Sequence, residues 1–355
     1  MINILKQVAA IFMLTSTVFF FPNTSELIKN EATNHVEIDN SSEKKGSISI
    51  LNIDSNSGSP IQNTVHMVIN ENGAIVEMLV TDKMGRATST MFDFGKRYTI
   101  RQDKIMIPYV LNSQEYDLII NNEQQNLTFK NDMFDFVKGT EVIEEGHIKI
   151  TELFLPFKPI LQLPELPQGC EITALTSVLH FFDYEVTKTE MADNYLPQEQ
   201  LIRKNNVLYG PNPYKAYAGN PRKLRAGLFS YTPPIIQAAD RYFDDVDGNY
   251  KAFDLTGSSR EDIIEQLNNG IPIMVWATID LKKPKLDIAW YFYDSGEYFL
   301  APSNLHVMVL HGYDQNNVHV MDPLKGEVMY DANTFFDSYY SLGSHAMMVT
   351  KGDAL

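Results

Sequence analysis

The sequence predicts two folded parts, a small all-β sandwich followed by an α+β domain, and three observations carry that prediction. From Ser47 to about Lys130, short runs of alternating character are separated by Gly, Asn and Asp turns, the signature of a sandwich. Beyond about residue 159, helix-length apolar periods mix with buried-looking strands. The 355 residues are enough for two such cores, and 44% hydrophobic with 11% aromatic side chains favours compact folding over disorder.

The elements follow in order. Residues 1–29 carry Lys6 ahead of an apolar run from Val8 to Phe21 that Pro22 closes. That run is short for a bilayer span and fits an export signal, cleaved or kept as an anchor. Residues 30–46 ("NEATNHVEIDNSSEKKG") are a polar linker. Residues 47–131 hold the strands "SISILNI", "TVHMVI", "IVEMLVT", "ATSTMF", "RYTIRQ", "YDLII" and "LTF". This stretch resembles the prealbumin-like repeat domains of Gram-positive surface proteins. The resemblance implies a Lys to Asn isopeptide bond promoted by an acidic side chain, but Asn52 stands at the lysine position and Gln102 near the expected glutamate, so no such bond is expected. Residues 132–158 read as a connecting segment.

The second domain spans 159–352. Ile172, Leu175, Val178, Leu179 and Phe182 fall at helical spacing, "SREDIIEQLNNGIPIMVWATI" reads as helix, Gly270 stop and buried strand, and "NLHVMVLHGYDQNNVHVMDP" reads as two strands around a tight turn. Helix followed by antiparallel sheet is an α+β pattern.

Cys170 is the sole cysteine, so an exported chain cannot use it for an internal disulfide. Pro167 and Gly169 hold the preceding chain out of the helix and set Cys170 in its first turn, where unpaired N–H groups and the dipole lower a thiol pKa. A nucleophilic thiolate needs a proton carrier. Among His180, His306, His311, His319 and His345, His180 is ten residues along the same helix and reads as packed or solvated. His306 opens a strand. If its hairpin turns about Asp314, Asp322 pairs with it directly at about 5 Å and can orient one imidazole nitrogen while the other faces the thiol. A turn near Gln315 and Asn316 puts the two a few residues out of register. Cys, His and Asp in that chain order have papain-like logic.

Five blocks, "LQLPELPQGCEITALTSVLHFFDYEV", "YGPNPYKAYAGNP", "SYTPPIIQAA", "NNGIPIMVWATI" and "NLHVMVLHGYDQNNVHVMDPLKGEVMYDANTFFDSYYSLGSHAMMV", resemble exported stand-alone relatives of the bacteriocin-processing (double-glycine leader) cysteine peptidases. The resemblance implies a papain-like fold with Cys170 as nucleophile, His306 as general base and later acid, and Asp322 as orienter. It also implies a glutamine as oxyanion donor beside the Cys170 backbone N–H. Gln162 is chosen over Gln168 because the intervening Pro-rich loop can fold back.

Trp276 reads as core, and Trp290 as either core or a wall of the cleft. The segment "YGPNPYKAYAGNPRKLRAGLFSYTPP" is long and irregular, and its Arg222, Lys223 and Arg225 read as a solvated surface. A formal charge of -16 argues against nucleic acid and anionic lipid as partners. With no H-E-x-x-H and one thiol, neither a metal nor another cofactor is expected. The expected protein is a secreted or cell-surface cysteine peptidase acting on a peptide or cell-wall amide, touching membrane only through an uncleaved N-terminal segment. The alternatives are acyl transfer with the same residues, an inert surface binding protein on a papain-like scaffold, or an envelope-anchored inhibitor or immunity factor.

Overall fold

The computed structural model describes residues 44–143 and 147–352. The apolar run at Val8–Phe21 and nearly all of the linker lie outside the described residues. The described chain divides into two compact units, the first ending at Phe129, the second holding Lys130 onward together with Asp54–Ser59 and Ile105–Val110.

The first unit carries β1 (Lys45–Asp54), β2 (Val65–Asn70), β3 (Ile75–Val80), β4 (Arg86–Thr88), β5 (Phe92–Asp93), β6 (Arg97–Lys104), β7 (Glu115–Ile119) and β8 (Gln124–Asn131). They make two four-stranded sheets: β4-β1-β5 with β8 also on β1, and β3-β2-β6-β7. Alternate residues of each sheet, Ile48, Ile50, Val68, Leu79, Ile100, Ile120 and Phe129, fill the core between them. A buried polar spot interrupts it. The Gln102 side chain donates to Asn52 Oδ1 at 2.6 Å, and Asn52 Nδ2 donates to Thr64 Oγ1 at 3.3 Å. The two positions singled out in the sequence are thus joined by an amide–amide hydrogen bond.

The second unit opens with a hairpin, β9 (Val137–Val142) and β10 (Ile148–Phe154), followed by α1 (Cys170–Phe181) and a single turn α2 (Lys188–Glu190). Short strands β11 (Gln198–Glu199), β12 (Ile202–Lys204), β13 (Val207–Gly210) and β14 (Tyr217–Ala218) lead to α3 (Thr232–Asp245). Then come β15 (Tyr250–Asp254), α4 (Arg260–Asn268), β16 (Ile273–Thr278), β17 (Leu286–Phe292), β18 (Tyr298–Pro302), β19 (Leu305–Tyr313), β20 (Asn317–Asp322), β21 (Gly326–Asp331), α5 (Ala332–Ser341) and β22 (Ala346–Lys351).

The large sheet runs β15-β22-β16-β19-β10-β9, with β20 on β19 and β21 on β20. β10 pairs with β19 at Leu153↔Tyr313 and Phe154↔Gly312. The stretch read as a connector therefore supplies two strands of this sheet, the second of them the alternating run "IKITELF".

Every residue of β16 is buried, because both faces of the sheet are covered. Met274 and Trp276 pack with α1 and α3; Ile273, Val275 and Ala277 pack with α4 and α5. Ser259 and Asp262 form a reciprocal capping box that starts α4, as its S-x-x-D spacing dictates. No helix among the described residues is long and apolar enough to cross a membrane.

His66 on β2 is fully buried against Phe129, with ring centroids 4.5 Å apart. Burial pushes its pKa down to about 4, the Thr64 backbone offsetting part of the shift. Below the ordinary value of about 6.5 the unfolded chain binds a proton that the folded one refuses. Stability should therefore fall as the pH drops from about 6.5 through about 4, by about 3 kcal/mol in all. The His66 ring should titrate with a midpoint near 4 by proton NMR, and His66→Phe should remove that acid-side loss of stability; an ordinary midpoint would contradict the assignment.

Candidate active site

The chain reaches the head of α1 through a loop tied to the far strands. Gln162 N–H donates to Pro323 C=O at 2.8 Å, and Leu166 and Gly169 N–H close turns onto Gln162 and Leu166 carbonyls at 2.9 and 3.0 Å. Gly169 caps the helix because a Cβ there would lie 2.7 Å from Leu166 Cβ. Cys170 follows as the first helical residue. α1 is buried on all sides from Cys170 to Leu179, and its inner hydroxyls turn back on the helix: Thr176 donates to Ile172 C=O at 2.7 Å and Ser177 to Thr173 C=O at 3.1 Å.

His306 sits near the start of β19, opposite Ala277 of β16, and Asp322 ends β20. Direct pairing about Asp314 is not what forms. The register is Val309↔Met321 and Tyr313↔Val318 with a bulge at His311, which centres the turn between Gln315 and Asn316. Asp314 sets it there, its side chain accepting from the Asn316 and Asn317 N–H groups at 2.8 Å each. By that register Asp322 faces Met308 and lies diagonally from His306, a separation of about 7–8 Å that an imidazole can bridge. It does so: His306 Nε2 and Asp322 Oδ1 are 2.7 Å apart, both side chains buried.

Asp322 also accepts the Leu324 N–H at 2.8 Å and has Lys325 Nζ 3.5 Å from its other oxygen. Burial pushes its carboxyl pKa up, but the His306 bond and charge, the Leu324 N–H and Lys325 together hold it below the usual carboxylate range.

The thiol departs from expectation. Cys170 is 8% exposed, and Sγ donates to Glu171 Oε2 at 3.3 Å. Burial and the neighbouring Glu171 carboxylate push its pKa well above the ordinary value, with the backbone N–H of Val307, next to His306, pulling the other way. The helix end does not overcome burial and a carboxylate. Glu171 was not among the residues the sequence singled out, since an acid in a first helical turn is ordinary. Here it is wholly buried, Oε1 accepts the Ser230 N–H at 2.8 Å, and burial raises its pKa to about 7.

Of the two glutamines, Gln162 is buried, with one amide N–H on Pro167 C=O at 3.0 Å and its Oε1 unpaired among the described residues. Gln168 is held away by a bond from its amide to Leu224 C=O at 3.0 Å. Trp290 lies in β17 rather than in a loop, 1% exposed with its indole N–H on Pro211 C=O at 2.8 Å, so it is core and not a cleft wall. Trp276 is core, donating to Ser230 C=O at 2.9 Å. The remaining histidines are engaged elsewhere: His180 with Val186 C=O, His311 with Glu327 and Leu155 C=O, His319 beside Asp314, and His345 with Tyr214 and Thr256. Arg222 makes a two-pronged ion pair with Asp193. Among the described residues no group of three or more His, Cys, Asp or Glu is placed to hold a metal ion.

A thiol at a helix head and a paired His and Asp on adjoining strands is a layout suited to nucleophilic acyl chemistry. The profile of the Peptidase C39 like family matches residues 154–347, more than half of the chain. The chain belongs to the C39-like peptidase family. A prealbumin-like fold domain is matched ahead of it, over residues 46–133. This C39-like chain is 27% identical over 244 residues to the uncharacterized protein YvpB of Bacillus subtilis, covering 66% of this chain and 93% of that one. It is also similar to a Bacillus anthracis crystal structure described, without proof of activity, as a C39-like peptidase, with 28% identity, TM-score 0.49, and coverage of 56% and 98% of the two chains. The T6 backbone pilin of Streptococcus pyogenes serotype M6 matches over 22% of this chain and 16% of its own, with 27% identity and TM-score 0.21.

Removing the Asp322 carboxylate leaves a buried imidazole and the Leu324 N–H without their acceptor. Asp322→Ala should cost about 3–5 kcal/mol, read as a lowered urea midpoint by the fluorescence of Trp276 and Trp290. Because the folded carboxyl titrates low, its contribution is present above about pH 4 and is lost as the pH falls further; an unchanged midpoint at neutral pH would contradict the pairing.

Proposed function

We propose that this chain is an extracytoplasmic cysteine peptidase that cleaves an amide through an acyl-thioester on Cys170. The observation that carries the reading is the buried 2.7 Å bond between His306 Nε2 and Asp322 Oδ1, on the strand whose Val307 N–H meets the Cys170 sulfur. With Nε2 taken by Asp322, Nδ1 is the nitrogen left to receive the thiol proton.

The steps then balance. His306 Nδ1 takes the proton from Sγ, and the thiolate attacks the substrate carbonyl carbon. The oxyanion is held by the Cys170 backbone N–H and by the Gln162 amide hydrogen not bound to Pro167. The C–N bond breaks as the imidazolium passes its proton to the leaving nitrogen. Water, deprotonated by His306, attacks the thioester, releasing a carboxylic acid and restoring the thiol. An amine in place of water gives acyl transfer with the same groups.

An extracytoplasmic site is supported by the signal-like run behind Lys6 and by the prealbumin-like domain, and it makes peptide or cell-wall amides the substrate class. The buried, carboxylate-bound thiol favours a second reading, an inert binding protein on this scaffold.

A peptidyl epoxide should add its mass to Cys170 of the wild-type protein, and His306→Ala should slow the labelling by roughly 10²–10⁴-fold; equal labelling of both proteins would favour the inert scaffold. On any peptide the wild type cleaves, Gln162→Ala should cut kcat roughly a hundredfold, about 3 kcal/mol, with little change in KM. An unchanged kcat would remove Gln162 from the oxyanion site.

A further inference from the structure

The reaction described above leaves one group beside the nucleophile without a part. Glu171 is the residue after Cys170, and its side chain is wholly inside the protein. It makes two bonds, Oε1 to the Ser230 N–H at 2.8 Å and Oε2 to the Cys170 thiol at 3.3 Å. The first fixes the carboxyl from the loop ahead of α3. That loop is itself clamped, since Ser230 C=O accepts the Trp276 indole N–H at 2.9 Å. A buried carboxyl held this firmly against a nucleophile costs stability that a hydrophobic residue would spare.

We propose that Glu171 is a positioning residue for the nucleophile, whose own proton decides whether the Cys170 sulfur can become a thiolate. This inference rests on the peptidase reading given above. When the carboxyl is protonated, its O–H can turn to the sulfur and donate to the thiolate left once His306 has taken the thiol proton. When it is ionised, a thiolate would face a carboxylate in a buried site, and the thiol keeps its proton, donating it to Oε2 as the structure has it. The two states differ by one proton, which Glu171 takes from solvent as the pH falls: with an ionised Glu171 the sulfur keeps its own proton, and with a neutral Glu171 that sulfur proton can pass to His306.

The groups around the pair are few. Tyr217 of β14 is buried nearby and is influenced by both Glu171 and Cys170, but its hydroxyl is bound to Gln168 C=O at 2.5 Å. From β19 come the Val307 N–H, acting on the sulfur, and His306 beside it; from β20 comes Asp322, bound to His306. The influences on Glu171 itself are burial, the backbone N–H groups of Glu171 and Ser230, and the Cys170 thiol. Since burial brings this carboxyl to about 7, the two forms exchange near neutrality.

The test is the rate of Cys170 alkylation by iodoacetamide against pH, read by mass spectrometry on the intact chain. It needs no substrate and follows the sulfur directly. Wild-type reactivity should be highest on the acid side and decline as the pH rises through about 7, rising again only well above the free-thiol value of about 8.5. Glu171→Gln, whose amide can still accept from Ser230 and can donate to sulfur at any pH, should abolish that decline and react at least tenfold faster than wild type at pH ~8, with rates within about threefold at pH ~5.5. Coincident profiles, or a wild-type rate that simply climbs through one ordinary thiol transition, would overturn the proposal. If Glu171→Gln fails to fold, the wild-type profile alone decides. Repeating both in the His306→Ala background separates the two claims. If His306→Ala leaves the profiles untouched, the peptidase reading fails, while the Glu171 effect still stands or falls on the wild-type against Glu171→Gln comparison.

Discussion

One hydrogen bond organises the second unit: the 2.7 Å contact between His306 on β19 and Asp322 on β20. Both side chains are buried, and a charged group so placed needs its partner, so the bond depends on the sheet that holds the two together. The Asp314 turn fixes the β19–β20 register, and the bulge at His311 lets that turn form while keeping β19 paired with β16 on its other edge. Pro323, the next residue, then anchors the loop that carries Gln162 and delivers Cys170 to the head of α1. Histidine, carboxylate, amide and thiol are thus tied into one set of backbone bonds, and a shift in any strand would reach all four.

The same burial that secures this pair works against the thiol. A sulfur 8% exposed and beside a carboxylate holds its proton more tightly than a free cysteine, whatever the helix end contributes. With Glu171 ionised, the sulfur therefore stays a neutral thiol bound to its carboxylate. That guards a lone cysteine from stray oxidation, which needs an exposed thiolate, and leaves activation to groups a substrate would find already in place.

Much of this was legible in residue order. The alternation of 47–131 gives the sandwich, and the run "IMVWAT", apolar on both parities, gives a strand covered on both faces. Cys170, His306 and Asp322 stood out because their residue types, placed at a helix head and on two hairpin strands, have a joint chemical use. What did not show was tertiary. Asp322 could be named, with direct pairing about Asp314 and an offset from a turn near Gln315 and Asn316 both open; the second is what forms, and the bulge at His311 that goes with it has no marker in the sequence. Glu171 passed as a routine first-turn acid because only the packing of β14, α3 and β19 around α1 makes it buried. Trp290 reads from the sequence as either core or cleft wall, and only its place in β17, 1% exposed, makes it core. The alternation of β10 was present in its residues, but nothing local shows that it joins β19, more than 150 residues away.

The central claim is that His306 takes the Cys170 proton, and with a single cysteine in the chain it can be read without a substrate. The most direct measurement is the ultraviolet difference absorbance of the thiolate during a pH titration, wild type against Cys170→Ala for the baseline and His306→Ala for the acceptor. A thiolate signal on the acid side of neutrality that vanishes in His306→Ala is the result the account predicts. One ordinary, late transition unchanged by His306→Ala would contradict it.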